Sequence, residues 1–242
     1  MVLQSRSAEL STGKARKRTA NASRVSSPDR VVEAITDGIR AGRFVPGQRL
    51  IEADLTHNLK VSRGPVREAL KRLSAEGIVT LTLHRGAYIR ALQREESKKI
   101  LMVLEVLTGL AAQLAAAEIE NDGNKRRMRE AYEHLKQIHE SGGVVSYLDE
   151  RRNFYDTVIE IGGNEQVARI LPTMQIHLLR MQFRSFWSAE ENESRFNDYS
   201  LITSAILDGD PKRAEKQMRA HIRRVRLGID QLPDKAFPVP SN

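Results

Sequence analysis

Apolar positions recur first at helical spacing, then at a period of two, then at helical spacing again. Val31, Val32, Ile35 and Ile39 follow Ser27-Pro28, a cap and a proline suited to a first helical turn, and Gly42 closes that helix. Pro46-Gly47 marks a turn before a second short helix with Leu55 and Leu59 on one face. In the third helix Val66, Ala69, Leu70 and Leu73 fall at i, i+3, i+4 and i+7, with Ser62 as the cap and Gly77 as a left-handed end. The period then drops to two, and the runs 78–83 and 87–91 around His84-Arg85-Gly86 predict a β-hairpin. Helix, helix, helix and hairpin over residues 28–93 predict a winged helix-turn-helix.

From Arg94 onward the helical period persists almost unbroken. Ile100, Leu101, Leu104, Leu107, Leu110, Ala111 and Leu114 form a wide stripe that ends at Asn121-Asp122-Gly123. Met128, Ala131, Tyr132, Leu135 and Ile138 form the next, broken at Gly142-Gly143, and Tyr147, Phe154, Val158 and Ile161 another, broken at Gly162-Gly163-Asn164. A further long helix is expected from about Glu165, bent by Pro172. The last starts at Asp210-Pro211 and carries Ala214, Met218, His221, Ile222 and Val225. The fold class is therefore mainly α: a winged helix-turn-helix (28–93), then an all-α antiparallel bundle (94–230), with a disordered basic tail (1–27) and a C-terminal tail (231–242).

Composition narrows the partners. About 40% of residues are apolar but only 5% aromatic, which favours helix packing over a β-sandwich. No uninterrupted apolar run reaches membrane-spanning length, no signal peptide is apparent, and cysteine is absent, so a soluble cytoplasmic protein without disulfides is expected. The net charge of +8 is unevenly placed: residues 1–95 hold 18 Lys/Arg against 9 Asp/Glu, and residues 96–242 hold 21 against 22. An excess of positive charge confined to one end suits a polyanion bound by that end alone.

In a helix-turn-helix the first turn of the second helix enters the major groove. Within Val61-Ser-Arg-Gly-Pro-Val-Arg-Glu-Ala-Leu70, Arg63 and Arg67 share a face, and each carries a planar fork suited to guanine or a phosphate pair. Gly64 leaves room for close backbone approach, and Pro65 fixes the turn. Arg49, Arg72 and the hairpin tip His84, Arg85 and Gly86 complete the expected DNA contacts. The plain alternative for these cations is a solvated basic face.

The words Gly38-Ile-Arg-Ala-Gly42, Pro46-Gly-Gln-Arg-Leu50, Val61 to Leu70, Leu73, Glu76-Gly-Ile78 and Arg85-Gly86 resemble the GntR family of regulators. That resemblance implies DNA contact through Ser62, Arg63, Gly64, Arg67 and Gly86. The helical remainder resembles the FadR-type effector domain, called FCD, through Asn153-Phe154, Gly163-Asn164, Ala205-Ile-Leu-Asp-Gly-Asp210 and Met218-Arg-Ala-His221. Many such domains bind a divalent cation through an Asp and three His. Placed on that pattern, this chain has Arg151 at the Asp, Tyr155 and Tyr199 at two of the His, and keeps only His221; Leu104 stands where the family often has an Arg. One imidazole with two phenols and a guanidinium is a poor metal site, so no metal or other cofactor is expected. Arg151, Tyr155, Arg180, Tyr199 and His221 are instead expected to receive an anionic effector, with Arg152, Asn153 and Arg184 nearby. Amphipathic side chains packed with local partners are the plain alternative.

None of the six histidines (57, 84, 134, 139, 177 and 221) forms a His-Glu-x-x-His motif, and no nucleophile-elbow or phosphate-loop motif occurs, so an enzyme is not expected. The expectation is a homodimeric transcription regulator, a repressor, that binds a palindromic operator in double-stranded DNA under control of a small organic acid. A sequence-independent architectural DNA-binding protein and a metal-dependent enzyme within the bundle are the competing readings.

Overall fold

The computed structural model describes residues 26–83, 85–141, 144–171, 179 and 182–237. The first unit contains α1 (Ser27–Arg40), β1 (Arg49–Leu50), α2 (Glu52–Leu59), α3 (Arg63–Ala75), β2 (Val79–Thr82) and β3 (Gly86–Ile89). Val31, Ile35, Ile39, Leu55, Val66, Leu70 and Leu73 bring the apolar faces of the three helices onto one core. The cap of α1 lies one residue earlier than the sequence suggests: Ser26 accepts from the Asp29 amide, and Ser27 is already helical. The hairpin gains a third strand, because the two-residue β1 pairs with β3 in the antiparallel order β1-β3-β2. Gly77 does adopt a left-handed conformation, φ 68°.

The second unit comprises α4 (Arg94–Ala117), α5 (Asn124–Ser141), α6 (Val144–Gly162), the short α7 (Glu165–Ile170), α8 (Ala189–Leu207) and α9 (Pro211–Ile229). The helix expected from Glu165 is thus described as a six-residue piece, and the expected bend at Pro172 falls outside the described residues. Asp210 caps α9 through the Arg213 amide at 3.0 Å, as the Asp-Pro start implies.

α4 and α9 pack antiparallel along their length. The buried carboxylate of Glu105, 5% exposed, accepts from Arg223 at 3.0 and 2.6 Å and from Arg226 at 3.5 Å. One turn on, a Cβ at Gly109 would lie 2.5 Å from Arg219 Cγ, so the absence of a side chain there permits the close approach. α4 is also the one described helix long and apolar enough to cross a membrane by length and composition, but half of that stretch is buried in the bundle. The other side of α4 leaves Met102, Val103 and Val106 about half exposed, at 55, 48 and 53%.

Where the two units join, backbone groups are held by side chains distant in sequence. Gln182 Oε1 accepts from the Leu92 amide at 2.8 Å, while Nε2 donates to the Leu92 and Ala236 carbonyls at 2.6 and 2.9 Å. Arg94 donates to the carbonyls of Ile229, Asp230 and Leu232 and to the Asp234 carboxylate, and its guanidinium lies 4.3 Å from the Phe237 ring centroid. The segment read as a C-terminal tail is therefore packed as far as Phe237, with Leu232, Ala236 and Phe237 buried and a 3-10 turn over Asp234–Ala236. Sequence periodicity misses this because a single turn carries no repeat.

Gln182→Leu would leave one amide and two carbonyls without these bonds. A cost of roughly 1–3 kcal/mol per unsatisfied group predicts a Tm lowered by several degrees in calorimetry. An unchanged Tm would show that the junction is not held by this amide.

Candidate functional site

The N-terminus of α3 stands out from the first unit. Ser62 is at the N-cap in extended conformation, but its side chain makes no capping bond, contrary to the sequence reading. Its exposed hydroxyl and the first-turn amides face outward, which is the arrangement that receives a phosphate. Arg63 and Gly64 are exposed, and nothing lies within 4 Å of where a Gly64 Cβ would be. Pro65 sits half-buried behind them.

The remaining expected contacts divide into two groups. Arg49 on β1 runs beside the hairpin tip, its guanidinium 3.8 Å from the position of a Gly86 Cβ, and Gly86 takes a φ of 95° that favours glycine. Arg85, exposed, belongs to the same edge, while His84 lies outside the described residues. Arg67 and Arg72, by contrast, are engaged within the chain. Arg67 Nε is 3.0 Å from Glu52 on α2, and Arg72 Nη1 is 2.6 Å from Asp29 on α1. Arg72 also sits in the last turn of α3, remote from the exposed first turn. Arg72, expected among the DNA contacts, also ties α3 to α1, because Asp29 at the start of α1 meets the C-terminal end of α3.

In the bundle, three of the five expected ligand residues form one cluster. Tyr199 on α8 is 1% exposed, and its ring centroid lies 4.9 Å from His221 on α9 and 6.2 Å from Tyr155 on α6. Phe154 packs edge-on against Tyr199 at 5.1 Å. Arg151 reaches the cluster from one turn earlier on α6, its Cζ 5.9 Å from the Tyr199 ring centroid. Arg180 lies outside the described residues, as does the side chain of Arg184. Two neighbours named from sequence do not join: Asn153 is exposed and donates to Glu150, and Arg152 pairs with Asp156 one turn along α6.

His221 is fully buried, and its Nδ1 is 2.9 Å from Asp198 Oδ2. Arg224 bonds the other oxygen of Asp198. Burial works to raise the Asp198 pKa, but the bonds from His221 and Arg224 outweigh it and hold the carboxyl below its usual range. Burial pushes the His221 pKa down to about 4, opposed by the Asp198 bond and reinforced by the positive charges of Arg151 and Arg195. At neutral pH the pair is therefore a carboxylate and a neutral imidazole, with Nδ1 donating and Nε2 carrying a lone pair. His221 Nε2 has no hydrogen-bond partner, and neither has the buried Thr203 Oγ1.

Asp198, Arg195 and Thr203 were not among the residues singled out from sequence. The signal was present for Asp198 and Thr203. Asp198 precedes Ile202 and Ala205 by four and seven residues, and Thr203 follows Tyr199 by four, so both occupy the apolar face of α8. A carboxylate in that register requires a buried cationic or donor partner.

A divalent cation does not fit this donor set. Nε2 of His221 is one lone pair among phenols, with two guanidinium charges within electrostatic range. Among the described residues no three His, Cys, Asp or Glu side chains come together as ligands.

The chain matches two family descriptions, "Bacterial regulatory proteins, gntR family" over residues 28–89 and "FCD domain" over residues 95–224. It is similar to a probable D-xylose utilization operon transcriptional repressor of Paenarthrobacter nicotinovorans, 24% identical over 82% of this chain and 87% of that protein. The Nta operon transcriptional regulator of Aminobacter aminovorans is 28% identical over 75% of this chain and 84% of its own length. The transcriptional repressor GlaR of Escherichia coli K12 is 25% identical, covering 78% and 89%. Among solved structures, E. coli McbR/YncC superposes with a TM-score of 0.72 at 19% identity, over 86% of this chain and 99% of that one. A GntR regulator from Rhodococcus sp. RHA1 gives 0.72 at 20%, over 84% and 97%. These two likenesses establish the shared fold.

Two outcomes follow from the geometry. Arg63→Ala should weaken specific DNA binding roughly 10- to 100-fold at unchanged Tm, whereas Arg72→Ala should leave specificity intact and loosen α1; fluorescence anisotropy and thermal unfolding separate the two. Because the folded-state pKa of His221 lies below the unfolded value of 6.5, its contribution favours folding at high pH and is lost as pH falls from about 6.5 to about 4. The stability difference between the wild type and His221→Phe, followed by denaturant titration, should change across that window and stay flat above pH 7.5.

Proposed function

The chain belongs to the GntR family of bacterial regulatory proteins with an FCD domain, and from that premise we propose that this DNA-binding transcription regulator is a ligand-controlled repressor. The observation that carries the reading is the exposed first turn of α3, where Ser62, Arg63 and Gly64 stand clear of the protein surface. Arg49 and the wing residues Arg85 and Gly86 supply a second contact edge. A helix terminus of this kind reads base edges, while the flanking basic groups bind phosphate and set the register.

Two of the three relatives named above are repressors, and that sense is carried over here. The regulator is proposed to act inside the cell as a homodimer, because two reading helices must meet half-sites spaced along one face of the duplex. The half-exposed Met102, Val103 and Val106 on α4 offer an apolar face to the second copy. The palindromic operator follows from the twofold symmetry of such a pair.

Control is assigned to the cluster of Arg151, Tyr155, Tyr199 and His221, which receives an organic acid directly, without a metal. A ligand that prefers one arrangement of the helices around this cluster shifts the population of bundle conformations. The hydrogen bonds from Gln182 and Arg94 give such a shift a fixed attachment to the linker at Leu92 and hence to the reading unit.

Selection of genomic fragments by the purified protein at physiological salt tests the DNA reading. A short palindrome recovered near a small set of operons is the expected result. Recovery of fragments without a shared motif would replace it with sequence-independent binding, in which affinity falls steeply with salt for all DNA alike.

A further inference from the structure

Two short stretches meet where the reading unit joins the bundle, and both lie outside the matched residues 28–89 and 95–224: the linker around Leu92 and the chain that follows α9. Direct packing between the helices of the two units is slight, chiefly α1 against α6. Their relative orientation therefore depends on what holds the linker. Leu92 is fully buried. Gln182 engages both its amide and its carbonyl, and the same Nε2 also donates to the Ala236 carbonyl. Arg94, the first residue of α4, donates to the carbonyls of Ile229, Asp230 and Leu232 and to the Asp234 carboxylate.

The needs of α9 alone do not account for this. A helix leaves its last carbonyls without partners and favours a cation beside them, which a single bond from Arg94 to Ile229 would supply. Here the chain continues across the joint as far as Phe237. Leu232, Ala236 and Phe237 are buried, and the Phe237 ring lies 4.3 Å from the Arg94 guanidinium and 5.2 Å from the Phe183 ring. Lys98, one turn along α4, adds an ion pair to Asp230 at 2.9 Å. A competing hold exists on the other side of Leu92, where Arg90 bonds the Gly77 carbonyl and the Glu96 carboxylate. That ion pair is about one-third exposed at both ends, and pairs so open to water constrain geometry weakly.

We propose that residues 230–237 form a positioning strap for operator recognition, which holds the reading unit at a fixed angle to the bundle by securing Leu92 and Arg94. The inference rests on the reading of the regulator as a pair of copies on two half-sites. Once one reading helix has bound, a rigid mount keeps the other close to its own half-site and raises its effective concentration there. A loose mount spreads it over many orientations, and the cost of ordering it falls on binding. The strap thus strengthens binding to the whole operator without touching DNA, adds nothing to a single half-site, and makes affinity depend on half-site spacing.

The test compares the wild type with Phe237→Ala and with a chain lacking residues 231–242, by fluorescence anisotropy on three duplexes. These are the operator recovered by genomic selection, the same operator with two base pairs inserted between its half-sites, and one half-site alone. Both variants should bind the operator roughly tenfold or more weakly than the wild type, bind the half-site within about twofold, and lose most of the preference for native spacing. Should the shortened chain fail to fold, Phe237→Ala carries the test, with exchange of the Leu92 amide as a second readout. That amide donates to Gln182, and its exchange should quicken roughly tenfold or more in the variant. Unchanged operator affinity and spacing preference in Phe237→Ala would overturn the inference and leave the Arg90–Glu96 pair as the hold. An equal loss on operator and half-site would overturn it by showing damage within the reading unit. A wild type that selects no palindrome, or binds the operator no more tightly than the half-site, would overturn both the strap and the paired-copy reading on which it rests.

Discussion

The antiparallel seam between α4 and α9 is the constraint on which the other features depend. At one end Arg94 binds the last carbonyls of α9, in the middle Glu105 holds Arg223 and Arg226, and farther along Gly109 lets Arg219 close in. Glu105 would be costly to bury alone, and two guanidiniums make its position tenable. The seam sets the axial register of α9, so it also decides the height at which His221 meets Asp198 and Tyr199. A slip of one turn would carry the imidazole past its carboxylate. The same register determines where α4 begins, and hence where the reading unit is mounted.

The two ends of the molecule use their charges differently. In the first unit, Arg67 and Arg72 pair with Glu52 and Asp29 on neighbouring helices, which links α3 to α2 and α1. In the bundle interior, the anionic Asp198 is engaged by His221 and Arg224, and burial, with the positive charge of Arg151 and Arg195, lowers the His221 pKa.

Much of this was legible in the chain, and its misses have physical causes. The α3 stripe of Val66, Ala69, Leu70 and Leu73 and the drop to a period of two after Gly77 were strong because burial enforces them. The strand Arg49–Leu50 was missed because two residues have no period. Tyr155, Tyr199 and His221 could be grouped only through the resemblance to the FCD pattern, which sets them at corresponding positions on three helices. Asp198 was overlooked because a charge invites a surface reading, although its register with Ile202 and Ala205 pointed inward. The intramolecular pairing of Arg67 and Arg72 could not be read at all: their partners lie 15 and 43 residues away, a distance that only the tertiary fold closes.

The junction at Leu92 has a bearing on how the molecule is made. Leu92 and Arg94 precede by some ninety residues the Gln182 amide and by about 140 the carbonyls that they engage. During synthesis the helices and sheet of the first unit leave the ribosome well before these partners do. The bonds that Arg94 and Gln182 make to the carbonyls of Ile229, Leu232 and Ala236 form only once that segment emerges. The junction is therefore among the last parts of the molecule to close, although the residues that open it are made before the bundle.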